Sequence, residues 1–402
     1  MKVLWIFRNT LPVQFNSEFI KDFEKKIGKN NIVFYGIAGL PKYDSSGLAF
    51  YPSNYKIFRG NNFKEVVKEE TPDVVVVDKD YVNTGGVDIP RATFMMDVHG
   101  EWFNRFERVK TGQIDMIFLR YYGNGIAFRV KHDMKCAVGY CPWSISPKLF
   151  YDLNLERVRD VYITGSHNPI YPIRMMLHFP IQQKYGHTPI EGYIDDFTFI
   201  ADEKKFLYYR YFSTLNTSKM AVFDSSLFKY PLMKFFEVMA CNTLAMSDLP
   251  VDWEVLGFKP EINMVSINYY DYLDKIKYYI RNEDERKRIA QNGMNLILNY
   301  HTNEIRAEQL IFQLEELINA KNEERTFSEQ NVKGEMGKML SILKQNEKYY
   351  DRGNLLHQTI DRGYVNLIDN WYPKAHALWG KIYKKEATIQ DWINFVEHGD
   401  DK

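Results

Sequence analysis

The chain has 402 residues, of which 45% are hydrophobic and 26% charged, and its formal net charge is zero. This balance is typical of a folded globular protein, and the length suits two domains of roughly 150 residues each. No apolar run reaches the ~18 residues of a membrane span, and the first residues lack the apolar segment of a signal peptide. Three cysteines are too few for a disulfide framework. We therefore expect a cytoplasmic protein without a membrane span.

The first half of the sequence alternates strand patterns with helix patterns. Continuous apolar runs predict strands over 2–7, 31–39, 71–80, 91–102, 114–120 and 135–140. Helices are predicted over 17–28 and 63–70, and the segment 40–62 is rich in turn residues. Strands that alternate with helices in this way imply βα units and a parallel sheet.

A second αβ series follows a proline-containing segment, 141–152, which we interpret as a linker. It begins with a strand, a glycine turn and a helix over 160–186, and continues with strands near 219–226, 244–246 and 262–267. Residues 269–321 are mostly helical, with breaks predicted near Asn282 and Gly293. The predicted domains are therefore 1–145, 155–320 and a helical C-terminal extension, 321–402, in which three tryptophans act as apolar anchors.

The stretch 228–248, FKYPLMKFFEVMACNTLAMSD, organises this second half. Pro231 stands where a helix can begin, apolar residues follow at helical spacing, and Asn242-Thr243 ends the helix before a short buried strand. Glu237 is a lone carboxylate on this apolar helix. A solvent-facing position is the ordinary interpretation of such a residue, and a ligand contact is the alternative.

Three segments, in this order, carry a family resemblance: DVYITGSHNPIYPIRMML, KFFEVMACNTLAMSD and NEDERKRIAQNGMNLILNYHTNEIR. They resemble the retaining GT-B glycosyltransferases, and most closely the branch labelled "glycosyl transferases group 1" or spore-maturation-protein-like. The resemblance covers about residues 160–310. It implies an α/β fold with two Rossmann-like domains facing a cleft, a nucleotide-sugar donor held mainly by the second domain and an acceptor held by the first.

The resemblance also implies roles for individual residues. Glu237 would hold the ribose hydroxyls of the donor, since a carboxylate accepts two hydrogen bonds from neighbouring hydroxyls. Gly165-Ser166 would let the backbone approach the diphosphate, and Asn242-Thr243 would offer backbone amides near the phosphates. Arg174, with Lys184 as a further candidate, would neutralise the leaving diphosphate. Enzymes of this group generally work without a metal, so we expect no metal and no cofactor besides the donor.

The sequence departs from the family pattern at two positions. The family carries a second glutamate eight residues before the first, where this chain has Lys229. Because that position normally approaches the transferred sugar, Lys229 is a candidate contact for phosphate or an acidic sugar. The glycine expected after Ala-Cys is Asn242, which tolerates a left-handed turn.

Candidate residues in the first half follow predicted strands. Asp97 and His99 are the candidate catalytic residues, because the family has a histidine in a similar place near the donor sugar; a polar strand-end loop is the alternative. Arg8 and Asn9 follow the first strand and are candidate acceptor contacts. Asp78-Lys79-Asp80 fits the metal-binding DxD pattern of a different fold, although such pairs commonly just end a strand.

The resemblance thus implies a metal-independent glycosyltransferase that acts with retention. Its acceptor is either a surface polysaccharide or a hydroxymethylated DNA base, and residues 1–150, with 21 basic and 16 acidic side chains, mildly favour a polyanion. A non-catalytic GT-B module that binds a nucleotide sugar or glycan is the alternative, and the missing glutamate at 229 motivates it.

Overall fold

The computed structural model describes residues 1–7, 17–36, 56–59, 62–77, 86–95, 114–121, 136–165, 171–186, 210–226, 228–268 and 270–322. Within these ranges the chain divides into two compact units. The first contains the described residues of 1–146 and 300–322, and the second contains those of 147–299. Each unit is built around its own parallel sheet.

Seven parallel strands form the sheet of the first unit, in the order β3-β2-β1-β4-β5-β6-β7. They are β1 (Val3–Phe7), β2 (Ile32–Gly36), β3 (Lys56–Arg59), β4 (Val74–Val77), β5 (Arg91–Met95), β6 (Met116–Leu119) and β7 (Ala137–Tyr140). The predicted parallel sheet is confirmed, and the jump from β3 through β1 to β4 is the strand order of a Rossmann-like fold. The sequence over 40–62 predicts only turns, whereas the structure has β3 there. A four-residue edge strand with a charged residue at each end contains no apolar run by which it could be recognised.

Helices cover the sheet and bury its apolar side chains. They are α1 (Ser17–Ile27), α2 (Phe63–Glu70) and α7 (Asn303–Asn322), the last being the seventh labelled helix in chain order. Trp5 of β1 lies at the centre of the core, with its ring edge-on to Phe23 of α1 at 5.6 Å and stacked on Phe94 of β5 at 6.2 Å. Strands packed on both faces need continuous apolar sequence, which explains the Val and Ile runs.

Helix α7 belongs to the first sheet, whereas the sequence groups it with the second half. Its residues Leu310, Leu314 and Leu317 lie in the same core as Trp5. Gln313 accepts a hydrogen bond from the Tyr140 amide at 2.8 Å and donates one to the Tyr140 carbonyl at 3.1 Å. Since β7 is the edge strand of the described sheet, this side chain satisfies backbone groups that no neighbouring strand reaches.

The sheet of the second unit contains four parallel strands in the order β11-β10-β9-β8. They are β8 (Arg159–Ile163), β9 (Ser218–Val222), β10 (Leu244–Ser247) and β11 (Val265–Ser266). The labelled helices of this unit are α3 (Pro172–Tyr185), α4 (Met233–Ala240), α5 (Tyr272–Arg281) and α6 (Glu283–Tyr300), and residues 210–216 are also helical. The apolar side chains of the four strands form a core of their own with α3, α5 and α6.

The predicted break near Asn282 is confirmed, but the break predicted at Gly293 is wrong. Asn282 separates α5 from α6, whereas α6 continues through Gly293. A Cβ on Gly293 would lie 2.6 Å from the Asn263 carbonyl oxygen, so this glycine serves the close approach of a helix to a loop. No helix of the described ranges is long and apolar enough to cross a bilayer.

Candidate functional site

The carboxyl end of β8 leads into a glycine turn on which two cationic side chains converge. Gly165 has φ +107°, a conformation that side-chain-bearing residues rarely adopt. A Cβ at this position would lie 1.8 Å from Nη1 of Arg174 and 2.4 Å from Cε of Lys234. Glycine is therefore required both by the backbone and by the space that the two cations occupy.

Arg174, in the first turn of α3, is buried, and its Cζ lies 3.5 Å from the centre of the Tyr171 ring. Its Nε donates to Oδ1 of Asp224 at 2.8 Å, and its backbone amide donates to Oδ2 of the same carboxylate at 3.1 Å. Asp224 follows β9 and is itself buried; burial raises the pKa of this carboxyl, against the opposing charge of Arg174. Nη2 of Arg174 has no hydrogen-bond partner. The guanidinium is thus fixed by Asp224, with Nη1 approaching the glycine turn and Nη2 left without a hydrogen-bond partner.

Glu237 lies in the interior of the second unit and is not solvent-facing. Its relative exposure is 6%, and the same value holds for Lys234, which precedes it by three residues on α4. Tyr211, in the helical residues 210–216, donates its hydroxyl to Oε2 of Glu237 at 2.8 Å. Burial raises the pKa of Glu237, while the charge of Lys234 and the Tyr211 hydrogen bond act in the opposite direction. A buried carboxylate with a cation and a hydroxyl around it belongs to a polar cluster inside the unit rather than to the surface.

The side chain of Lys229 forms an ion pair in the same unit. Its amine contacts Oδ2 of Asp248, which follows β10. Asp248 also accepts from the amide of Ser225 at 2.8 Å and from its hydroxyl at 2.6 Å. Lys229 has φ +55° and a half-exposed side chain. Its charge is therefore balanced by a carboxylate that two further donors hold in place.

The phosphate role assigned to Asn242 and Thr243 does not fit their geometry. Both follow the carboxyl end of α4, where the helix dipole is negative. Their amides bond the carbonyls of Met239 at 2.9 Å and Val238 at 3.3 Å, which closes the helix end. The sequence places them correctly at a turn, and Asn242 has the left-handed φ of +54° expected where the family has glycine.

The side chains of these two residues also serve the fold. Nδ2 of Asn242 donates to Asp152 at 2.8 Å. The Thr243 hydroxyl donates to the Leu215 carbonyl at 2.7 Å and accepts from Arg157 at 2.6 Å. We therefore leave Asn242 and Thr243 out of the donor site proposed below.

Lys184 lies far from the glycine turn. It is exposed near the last turn of α3, and its amine sits 5.5 Å from the ring centroid of Tyr185. Ten residues of helix separate it from Arg174, a rise of about 15 Å. The remaining candidates fall outside the described residues: Arg8, Asn9, Asp78, Lys79, Asp80, Asp97, His99 and Ser166.

Three residues that contact Arg174, Glu237 or the Gly165 turn have no role in the sequence-based prediction: Tyr211, Asp224 and Lys234. Asp224 could have been found, because it lies near the carboxyl end of the strand predicted at 219–226, at the edge where parallel sheets bind ligands. Lys234 is at helical spacing from Glu237, so the two were predictable as neighbours. No sequence pattern connected Tyr211 with Glu237, because only the tertiary structure brings residues 210–216 close to α4.

Comparisons with known proteins agree with this architecture. Residues 160–311 match the family described as glycosyl transferase-like. No curated protein matches the chain. A glycosyltransferase from Rickettsia africae is similar in structure, with a TM-score of 0.58 and 10% identity over 79% of this chain and 98% of its own.

Two further solved structures share the fold. Sucrose-phosphate synthase from Thermosynechococcus elongatus gives a TM-score of 0.54 at 12% identity, over 80% of this chain and all of its own. HepE from Anabaena, in complex with UDP and glucose, gives 0.54 at 10% identity, over 78% of this chain and 99% of its own. These likenesses confirm the predicted α/β fold class with two Rossmann-like domains, GT-B.

Proposed function

We propose that this protein is a glycosyltransferase whose second unit binds the nucleoside diphosphate of a sugar-nucleotide donor. The observation that carries the proposal is the convergence of Arg174 and Lys234 on the Gly165 turn, with Glu237 buried on the same helix as Lys234. The segment that contains these residues is also the one that matches the glycosyl transferase-like family.

The diphosphate has the charge that this turn is suited to neutralise. Arg174 keeps Nη2 without a partner, and a guanidinium edge binds phosphate oxygens with directional hydrogen bonds. Lys234 adds a second positive charge. In sugar transfer the negative charge on the diphosphate grows as the bond to the sugar breaks, so cations fixed beforehand lower the barrier without a metal.

Glu237 supplies the second half of donor recognition. Its ionised carboxylate accepts hydrogen bonds from the two neighbouring hydroxyls of the ribose. Lys229 is the proposed contact for the transferred sugar, and Ser166 is a further proposed contact for the diphosphate. Asp97 and His99 remain the proposed catalytic residues, Arg8 and Asn9 the proposed acceptor contacts, and the reaction proceeds with retention at the sugar.

Two acceptor classes follow from the sequence, a surface polysaccharide and a hydroxymethylated base in DNA. They differ in one measurable property. Contacts to DNA phosphates release counterions, so DNA affinity falls steeply between about 50 and 200 mM salt. A neutral glycan acceptor is insensitive to that change. Acceptor binding measured across this salt range therefore distinguishes the two.

A non-catalytic nucleotide-sugar or glycan-binding module is the second candidate function. The ion pair of Lys229 with Asp248 favours it, because the family has a carboxylate at the position where this chain has a balanced cation. Such a module would bind the sugar nucleotide through the same Gly165 turn and would release no nucleoside diphosphate from it.

Donor hydrolysis tests the proposal. The protein is incubated with UDP-, GDP-, ADP- and CDP-sugars, and the released nucleoside diphosphate is measured together with the thermal shift. UDP-sugars are the first choice, because HepE was solved with UDP and glucose. We expect release with one donor and its loss in Arg174→Met and Glu237→Gln. Binding without release would support the module, and neither binding nor release would overturn both readings.

A further inference from the structure

The hydroxyl of Tyr211 occupies one oxygen of the buried Glu237 carboxylate. The two atoms, Oη and Oε2, are 2.8 Å apart. The tyrosine ring is held by aromatic neighbours, with Phe150 edge-on at 6.3 Å and Tyr162 tilted at 6.4 Å. The amine of Lys234 lies 5.6 Å from the centre of the same ring. Tyr211 therefore cannot turn away from Glu237 without disturbing this packing.

A carboxylate has about four sites that accept hydrogen bonds, and Tyr211 takes one of them. This contact fixes the rotation of the carboxyl group and leaves the acceptor sites of Oε1 for a ligand. Burial disfavours the ionised form of Glu237. A tyrosine–carboxylate pair in such a place costs stability compared with two apolar side chains of the same shape. Recognition of a ligand by the remaining oxygen accounts for the pair.

We propose that Tyr211 is a positioning residue for Glu237, and that the pair makes the nucleotide site select ribose over 2′-deoxyribose. The inference rests on the proposed function, in which Glu237 receives the ribose hydroxyls. A carboxylate held in one rotamer can accept hydrogen bonds from the 2′ and the 3′ hydroxyl of a ribose at the same time. A 2′-deoxy nucleotide leaves one buried acceptor site unfilled, which lowers its affinity.

The test compares affinities for UDP and 2′-deoxy-UDP, or for the matching pair of whichever base binds best, in the full chain. We expect the wild type to favour the ribonucleotide by about tenfold or more. In Tyr211→Phe this ratio should fall at least about threefold. Tyr279→Phe is the matched control, since Tyr279 is buried in the same unit and belongs to the core with α5 and α6, and its ratio should equal the wild-type ratio. A purely structural role for Tyr211 would lower thermal stability and leave the ratio unchanged.

The outcomes separate this inference from the proposed function. An unchanged ratio in Tyr211→Phe, together with a collapsed ratio in Glu237→Gln, overturns the role of Tyr211 and keeps the nucleotide site. If the wild type binds neither diphosphate, the proposed function itself fails. Should Tyr211→Phe not fold, Tyr211→Gln takes its place, because its shorter side chain places the donor away from Glu237. The same fall in the ratio is then expected, and an unchanged ratio overturns the inference.

Discussion

The two units each bury an arginine near the end of a strand or helix, and the two arginines are held in different ways. In the first unit, Arg306 donates from Nη2 to the Trp143 carbonyl at 3.2 Å and to the His301 ring at 2.9 Å, and from Nη1 to Gln309. Burial lowers its pKa to about 10. Both terminal nitrogens are thus committed to the protein, and within the described ranges no carboxylate pairs with it.

In the second unit, Arg174 is neutralised by Asp224 through Nε, its Nη1 lies at the Gly165 turn, and its Nη2 has no hydrogen-bond partner. Under the proposed function, Arg306 is a buried charge that stabilises the fold and Arg174 is one that binds a ligand. Arg306 ties the ends of neighbouring segments of one unit together. Arg174 is preorganised by a carboxylate, and its guanidinium occupies the space that a side chain at Gly165 would need.

The largest effect is expected from replacing each arginine by methionine. Arg174→Met should weaken nucleoside diphosphate binding by about 2–5 kcal/mol, whereas Arg306→Met should leave the dissociation constant unchanged and lower only stability. Arg174→Met also leaves Asp224 buried without its cation, which costs about 3–5 kcal/mol of unfolding free energy. Titration calorimetry and chemical denaturation measure the two quantities.

The double variant Arg174→Met/Asp224→Asn separates stability from binding. Because the uncompensated carboxylate is gone, the double variant should recover much of the lost unfolding free energy while its nucleotide affinity stays low. Recovery of affinity as well would mean that Arg174 serves the fold alone, as Arg306 does.

A methyl group at the glycine turn should give the next largest effect. Gly165→Ala places a side chain at φ +107° and onto both cations, so we expect a stability loss above about 2 kcal/mol and reduced nucleotide binding. Gly186→Ala is the matched control, because Gly186 also has a positive φ, +61°, but a Cβ there meets nothing within 4 Å. Equal thermal shifts in the two variants would show that the crowding at Gly165 is unimportant.

Replacing Lys234 tests whether a second cation besides Arg174 contributes to nucleotide binding. Lys234→Met should raise the dissociation constant for the nucleoside diphosphate about tenfold, or 1.4 kcal/mol, with a shallower salt dependence. Lys219→Met, whose pair with Asp160 is partly exposed in the same unit, should change neither quantity. Equal dissociation constants for Lys234→Met and the wild type would remove Lys234 from the site.

The smallest expected effect is one of pH. Burial raises the pKa of Glu237, so the carboxylate protonates at a higher pH than usual, and nucleotide-sugar affinity should decline as the pH falls through that raised value. Nucleotide sugars are suitable probes because their diphosphate does not change charge in this range. Glu237→Gln should bind weakly with a flat pH profile, and a profile matching the wild type would exclude Glu237 as the titrating group.

Much of the fold was predictable because the pattern of buried strands is local. The apolar runs at β1, β4 and β6 and the helix Phe63–Glu70 follow from periodicity alone. The short edge strand β3 was not predictable, because four residues without an apolar run carry no such pattern. The continuation of α6 through Gly293 depends on the loop at Asn263, which approaches too closely for any side chain.

By itself, the sequence determined the two αβ series, the position of the Gly165 turn and the helix that carries Glu237, because each depends on neighbours along the chain. Only the tertiary structure decided that Glu237 is buried, that Lys234 and Arg174 meet at Gly165, and that Asn242 and Thr243 close a helix. It also decided that α7 packs on the first sheet. An amphipathic pattern predicts that one face of a helix is buried, whereas contacts between residues distant in sequence determine what that face packs against.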